Sequence, residues 1–316
     1  MRHAPAELGR HDGPEGGRAF WLRAADGVRL RAANWPVPEG GRGTVLIAPG
    51  RTEYIEKYGL VVADLAAAGW GALVIDWRGQ GLSDRALPDS LTGHVGDFAE
   101  YQRDLHAVLG WAEAQGLGPM PWLAHSMGGC ITLRGLIDGL RPPAVAFSAP
   151  MWGLNQPATM RIGIAALARA GRLTGRDGGY LPTTGPDYGL PSMEFDLNPL
   201  TRDRAQFERM RAQITADPRL ALGGPSLRWG GAALAEMGAL ARAPSPPVPA
   251  LIGLGGAEKI VSAAAIRDRA ARWTVPGSAA ELVDYPGAEH ELLMETPDTR
   301  ADFLSRAVAL FDAVRR

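Results

Sequence analysis

Residues 122–130, WLAHSMGGC, run from a short apolar strand (Trp122 to His125) through Ser126, flanked by small residues, into a helix that holds Cys130. A serine at a sharp strand-to-helix turn is forced into an unfavourable backbone conformation, so the residues two positions either side must be small. Gly128 meets that need, while Ala124 departs from the usual G-x-S-x-G by one methyl group. Such a turn lifts the Ser126 hydroxyl above a sheet. It also sets the Met127 N–H at a helix N-terminus, where it can stabilise an oxyanion. The plainer reading of Ser126 is a helix N-cap, a common use of serine. A nucleophilic role would require a base, an acid to orient the base, and a second oxyanion donor.

Outward from this turn the chain alternates strand and helix. TVLIAPG, GALVIDW, MPWLAHS and AVAFSAP are near-continuous apolar runs, as expected for strands buried on both faces. Between them, Tyr58, Val62, Leu65 and Ala66, and then Phe98, Tyr101, Leu105, Val108, Leu109 and Ala112, recur at helical spacing. The alternation implies an α/β fold with a mostly parallel central sheet and right-handed crossovers. FWLRAADGVRLRAANW reads as an antiparallel hairpin turning at Asp26-Gly27, ahead of that sheet. After Pro150 the rhythm stops for nearly a hundred residues rich in Gly, Pro, Arg and Met, then resumes with VPALIGLGG, a helix, AELVDYPG and a final helix capped by Thr296-Pro297. The expected organisation is a flexible tail at 1–18, a core at 19–150 and 247–316, and an inserted helical cap at 151–246.

The chain has 316 residues, 46% hydrophobic and 21% charged, ordinary values for a folded globular protein. Its formal net charge of −1 supplies no electrostatic reason to expect nucleic acid as a partner. Arginine dominates the basic residues, with lysine only at Lys57 and Lys259, a bias read as genome composition. Cys130 is the sole cysteine, so no intrachain disulfide can form. MRHAPAELGRHDGPEGG lacks the apolar stretch of a signal peptide, and no run is long enough to span a bilayer, so a cytoplasmic protein is expected.

Six histidines could serve as base. His3 and His11 lie in the tail, His106 on the polar side of a helix, and His94 in a loop; His125 adjoins the serine but points elsewhere on the turn. His290, in DYPGAEHELLME, follows the last strand at its C-terminal end, where ligands gather in open α/β sheets. The acid should come from the loop after the preceding strand, and LIGLGGAEKIVS offers Glu258 there. Glu258 could instead be a solvated carboxylate paired with Lys259. Asp76 and Asp284 are its rivals, Asp76 better placed to brace a Gly-rich turn and Asp284 too early in its strand. APGRTEYIEKY supplies the second oxyanion donor, the Arg51 N–H, with Gly50 allowing close backbone approach. The Arg51 side chain is either a cation beside the pocket or a solvated loop arginine. Gly50, Met151 and Trp152 are expected to touch substrate.

With these pieces assembled, the chain resembles the serine α/β-hydrolase superfamily, and within it the monoacylglycerol lipase and lysophospholipase branch. The resemblance rests on APGRTEYIEKY, on VIDWRGQGLSDR (Asp76 to Arg85), on AHSMGG, on LGGAEKIVS and on GAEHELLME, and covers the chain from about Phe20 onward. The Pro-Gly-Arg start and GAEHELLME look most like bacterial lysophospholipases of the L2 type. The resemblance implies Ser126 as nucleophile, His290 as general base, Glu258 as orienting acid, and Arg51 with Met127 as the oxyanion hole. It implies a carboxylic ester hydrolase acting on lipid esters, with no metal or cofactor. Glu258 stands where aspartate is usual, one methylene or about 1.5 Å longer. The insert, MRIGIAALARAGRLTGR, carries Ile162, Ile164 and Leu167 beside arginines at 161, 169, 172 and 176, a pattern suited to a lid or to peripheral contact with the inner membrane face. A short-chain carboxylesterase or peptidase with the same residues, or a catalytically silent binding protein on this scaffold, are the competing readings.

Overall fold

The computed structural model describes residues 4–187 and 189–315. Among these, eight strands form one sheet in the order β1-β2-β4-β3-β5-β6-β7-β8. The edge hairpin is β1 (Arg18–Arg23) and β2 (Arg29–Trp35), antiparallel to each other, with β2 antiparallel to β4 (Trp70–Asp76). The remaining strands are parallel: β3 (Gly43–Ala48), β5 (Trp122–His125), β6 (Val145–Ser148), β7 (Ala250–Gly255) and β8 (Ala280–Tyr285). Every residue of β4, β5, β6 and β7 is buried, which is why these runs show no polar alternation.

Two apolar layers cover the sheet. On one face, α2 (Ala99–Ala114), α3 (Met127–Ile137) and α7 (Ala263–Arg272) enclose Trp77, Tyr101, Phe147 and Trp273. On the other, α1 (Gly59–Ala67) and α8 (Pro297–Ala313) close over Val61, Leu65, Phe303 and Phe311. Between β6 and β7 the chain makes the long excursion expected from its composition, and it holds α4 (Ala158–Thr174), α5 (Arg204–Ala216) and α6 (Leu227–Arg242). No helix among the described residues is long and apolar enough to cross a membrane.

The N-terminal segment differs from expectation. Residues 1–3 lie outside the described residues, but 4–17 are not loose. The Ala6 N–H donates to Ala19 O and the Trp21 N–H to Ala4 O, each at 3.0 Å, so the segment pairs with the exposed edge of β1. Arg31 donates to Glu7 O at 3.1 Å and the Trp35 indole to Pro14 O at 3.2 Å. A Gly- and Pro-rich sequence conceals this order because its partners are main-chain atoms of a distant strand.

The segment Asp76 to Arg85 acquires a physical explanation. Asp76, fully buried at the end of β4, accepts the Ile55 N–H and Leu82 N–H at 2.9 Å and Arg31 Nε at 2.7 Å. Ser83 donates to Asp76 O at 2.6 Å, while Arg78 clamps Asp104 and Asp26. The turn thereby presents Gln80, whose amide donates to Gly50 O at 2.7 Å, and the Trp77 indole donates to Pro49 O at 2.9 Å. This segment buttresses the loop after β3.

Candidate active site

Ser126 joins β5 to α3 with φ 49° and ψ −115°, a conformation that a non-glycine residue adopts only when its surroundings over-determine it. They do so here. The Ser126 N–H donates to Ser148 O at 3.0 Å, and Ser126 O accepts the N–H groups of Gly129 at 2.9 Å and Met151 at 2.8 Å. The two flanking small residues are not equivalent. A Cβ added at Gly128 would lie 2.1 Å from Ala48 O, whereas the Ala124 methyl is already housed in the fully buried β5. Gly128→Ala is therefore expected to destabilise the protein by about 3 kcal/mol, against about 1 kcal/mol for Ala124→Gly. Chemical denaturation of the two variants would decide it, and equal midpoints would refute the asymmetry.

His290, in the loop after β8, places Nε2 3.0 Å from Ser126 Oγ. Its Nδ1 lies 2.7 Å from Glu258 Oε2, in the loop after β7. The other Glu258 oxygen accepts the Ile260 N–H at 2.7 Å and the Val261 N–H at 3.0 Å, which pins the carboxylate. Burial pushes the Glu258 carboxyl up, but the His290 hydrogen bond and charge, with those two amides, outweigh it and hold the group below the usual glutamate range. Three loops from separate strand ends thus meet in one hydrogen-bonded row, buried at all three side chains. The longer glutamate meets the imidazole with one oxygen while its own loop amides hold the other.

The rivals are occupied elsewhere. Asp76 belongs to the Arg31 network, and Asp284 pairs with Arg267 at 2.6 Å on the surface. His94 faces Ser226, His106 is exposed, and His11 packs edge-on to Trp35; His3 lies outside the described residues. His125 is buried with Nδ1 3.0 Å from Ser148 O. Burial drives its pKa down to about 3, against the pull of Glu53, so it stays neutral at working pH.

The loop after β3 approaches the serine closely. A Cβ at Gly50 would stand 3.1 Å from the Ser126 Cβ and 3.0 Å from His125 Cδ2, so even a methyl group there would crowd the serine turn. The Gly50 N–H is taken by the Glu53 carboxylate, and Arg51 is the next residue of this loop. The Met127 N–H opens α3 directly after Ser126. The Arg51 side chain is neither a free solvated group nor aimed at the row: it donates to Gly223 O at 2.7 Å and lies 5.2 Å from the Trp229 ring centre.

Two expected substrate contacts need correction. Trp152 is buried in the core, its indole donating to Gly129 O at 3.1 Å and its rings packed on Phe147 and Trp273. Met151 acts through its backbone, bracing Ser126, with its side chain buried. Both follow β6 directly, but the sharp turn there points them into the apolar layer. Sequence reasoning missed Glu53, Lys57, Gln80 and Glu291, which underlie the site. The only signal for Lys57 was its rarity in an arginine-rich chain.

Comparisons with known proteins accord with this architecture. A family model described as "Serine aminopeptidase, S33" matches residues 40–297. The chain is 36% identical over 288 residues to lysophospholipase L2 of Escherichia coli (strain K12), covering 85% of this chain and 80% of the relative. It is 28% identical over 281 residues to a monoacylglycerol lipase of Mycolicibacterium smegmatis, covering 85% and 88%. Among solved structures, a soluble variant of monoglyceride lipase from Saccharomyces cerevisiae superposes with a TM-score of 0.71 at 22% identity, over 93% of this chain and 94% of that one. The extent of the family match and the identity to the Escherichia coli relative together mean that the chain belongs to the serine aminopeptidase S33 family of the α/β-hydrolase superfamily.

Proposed function

We propose that the protein hydrolyses carboxylic esters of lipids, of the lysophospholipid or monoacylglycerol type, through an acyl-enzyme on Ser126. The observation that carries this reading is the unbroken row Ser126–His290–Glu258, with contacts of 3.0 and 2.7 Å. Ser126 Oγ attacks the ester carbonyl while His290 Nε2 takes its proton. Glu258 holds the imidazole with its proton on Nδ1 and stabilises the imidazolium. The Arg51 and Met127 amides receive the oxyanion, His290 protonates the departing alcohol, and water repeats the sequence on the acyl-enzyme. The names of the relatives support a lipid ester over a peptide.

The experiment is a fluorophosphonate labelling of the protein, followed by fatty-acid release from lysophosphatidylcholine and monoacylglycerol side by side, with a chain-length series of simple esters. Adduct formation on Ser126 and a preference for long chains are expected. Absence of any adduct would favour a silent binding protein, and a preference for acetyl or butyryl esters would favour a short-chain esterase.

The excursion 151–246 is read as a cap that also meets a membrane surface. In α4, Ile164 and Ala168 pack where Gly230 and Gly231 of α6 leave room, so larger apolar side chains turn outward. Ile162 is 69% exposed and Leu173 81% exposed, with Arg161, Arg169 and Arg172 also on the exposed surface. An exposed apolar face flanked by arginines suits an anionic lipid surface. Co-sedimentation with vesicles containing phosphatidylglycerol should exceed that with phosphatidylcholine alone and fall in the Ile162→Ser/Leu173→Ser double variant. Equal sedimentation of both proteins would refute the assignment.

A further inference from the structure

Beneath the reactive row lies a second buried cluster for which the mechanism above has no use. Lys57 is 4% exposed, and its ammonium lies 2.5 Å from Glu53 Oε1 and 2.6 Å from Glu291 Oε2. Glu53 uses its other oxygen to accept the Gly50 N–H and, at 2.6 Å, the Tyr58 hydroxyl. Glu291 is the residue after His290. His125, the residue before Ser126, has Nε2 3.8 Å from Glu53 Oε1, and its ring centre is 4.8 Å from that of His290. Glu53, His125 and Glu291 offer ligand atoms all within 4.8 Å of one another, the outline of a cation site. Here the Lys57 ammonium contacts both carboxylates and supplies the positive charge.

We propose that Lys57 is a positioning residue, a buried ammonium that ties the oxyanion loop, through Glu53 and the Gly50 N–H, to the loop of the general base, through Glu291. The proposal rests on the reading of Ser126, Arg51 and His290 given above. The loop that carries Arg51 and the loop that carries His290 are joined through Lys57, by its contacts with Glu53 and Glu291. Their separation has to be held to within a fraction of an ångström for the oxyanion and the proton transfer to be served together. An ion pair with two arms does this with little play, because the ammonium and both carboxylates are almost wholly buried, which disfavours exchange of either partner for water.

The charge balance is consistent with this role. Burial pulls the Lys57 ammonium toward neutrality, but the charges of Glu291 and Glu53 overcome it and keep Lys57 protonated. Burial pushes Glu53 up, and the Lys57 charge, with the Lys57 and Tyr58 hydrogen bonds, brings it to a net lowering; for Glu291 burial wins and the group is raised. The groups facing the cluster are Glu53 and Tyr58 on its own loop, Tyr54 beside them, His125 from the serine turn, His290 and Glu291 from the base loop, and Arg209 of α5, which donates to Lys57 O at 3.1 Å. None but Lys57 places a cation between the two carboxylates.

The test compares Lys57→Met, Lys57→Arg and Glu291→Gln with the wild type in the full chain, recording kcat, KM and the pH profile of kcat/KM on the better of the two lipid esters, with circular dichroism to confirm folding. Lys57→Met should lose about 10²-fold in kcat with little change in KM. Its acid limb should move to higher pH, since carboxylates left without their ammonium favour the imidazolium. Lys57→Arg should recover most of the loss. Should Lys57→Met fail to fold, Glu291→Gln keeps the Lys57–Glu53 pair and must still lower kcat, with the acid limb moving the opposite way, to lower pH, because a carboxylate beside the imidazole is lost. The proposal is overturned if folded Lys57→Met retains kcat and pH profile, if KM alone rises, if the arginine variant is no better than the methionine one, or if Glu291→Gln is indistinguishable from wild type. A wild type inactive on both esters would instead sink the proposed function itself.

Discussion

Ser126→Ala is expected to abolish turnover while leaving the fold in place. The loss in kcat should approach 10⁶-fold, about the effect of removing a nucleophile whose partners act as a unit with it. The strained backbone at this position is held by main-chain partners, Ser148 O and the amides of Gly129 and Met151, none of which involves the hydroxyl. Removing the oxygen deletes one contact, to His290 Nε2, so stability should change by no more than about 1 kcal/mol. Fatty-acid titration alongside thermal unfolding measures both quantities. A variant that turns over lipid ester at the wild-type rate would show that another group attacks, and His125, held neutral beside Ser148 and turned from Ser126, offers no replacement.

Glu258→Gln should cost about 10⁴-fold in kcat. The argument is one of hydrogen-bond polarity. One carboxylate oxygen is held by the Ile260 and Val261 N–H groups, so the glutamine must turn its carbonyl oxygen toward them and its amide toward His290. That amide can only donate to Nδ1, which drives the imidazole proton to Nε2 and leaves it unable to accept from Ser126. The variant is almost isosteric, so a loss on this scale reports the tautomer and not a cavity. Stability carries a second signature. Because the Glu258 carboxyl is held below its usual range, its contribution is present above the unfolded-state pKa and disappears as pH falls through the folded-state value. The gap in Tm between wild type and Glu258→Gln should be widest near neutrality and close on acidification. A gap that widened in acid would contradict the assigned partner.

Much of this was legible in the chain. The near-continuous apolar runs and the helices between them specify a parallel sheet, because only strands buried on both faces can dispense with polar alternation. Ser126, Glu258 and His290 were legible because each lies within a few residues of a strand's C-terminal end, where a parallel sheet opens. Trp152 meets the same description, and the structure buries it, since the turn after β6 carries it onto Phe147 and Trp273. Position after a strand locates a residue; the turn decides which way it faces.

The sequence by itself determined the alternating architecture, the long excursion after Pro150 and the three groups in their order along the chain, because these follow from local periodicity and from chemistry that few residue types can supply. Only the tertiary structure decided that Lys57 lies between Glu53 and Glu291, that Gln80 props the Gly50 carbonyl, and that Ala4 to Ala6 pair with β1. The physical reason is common to all three. Each depends on at least one polar contact between separate segments of the chain, Lys57 with Glu291, Gln80 with Gly50 and Ala6 with Ala19, and a hydrogen bond leaves no periodic trace in the chain that makes it.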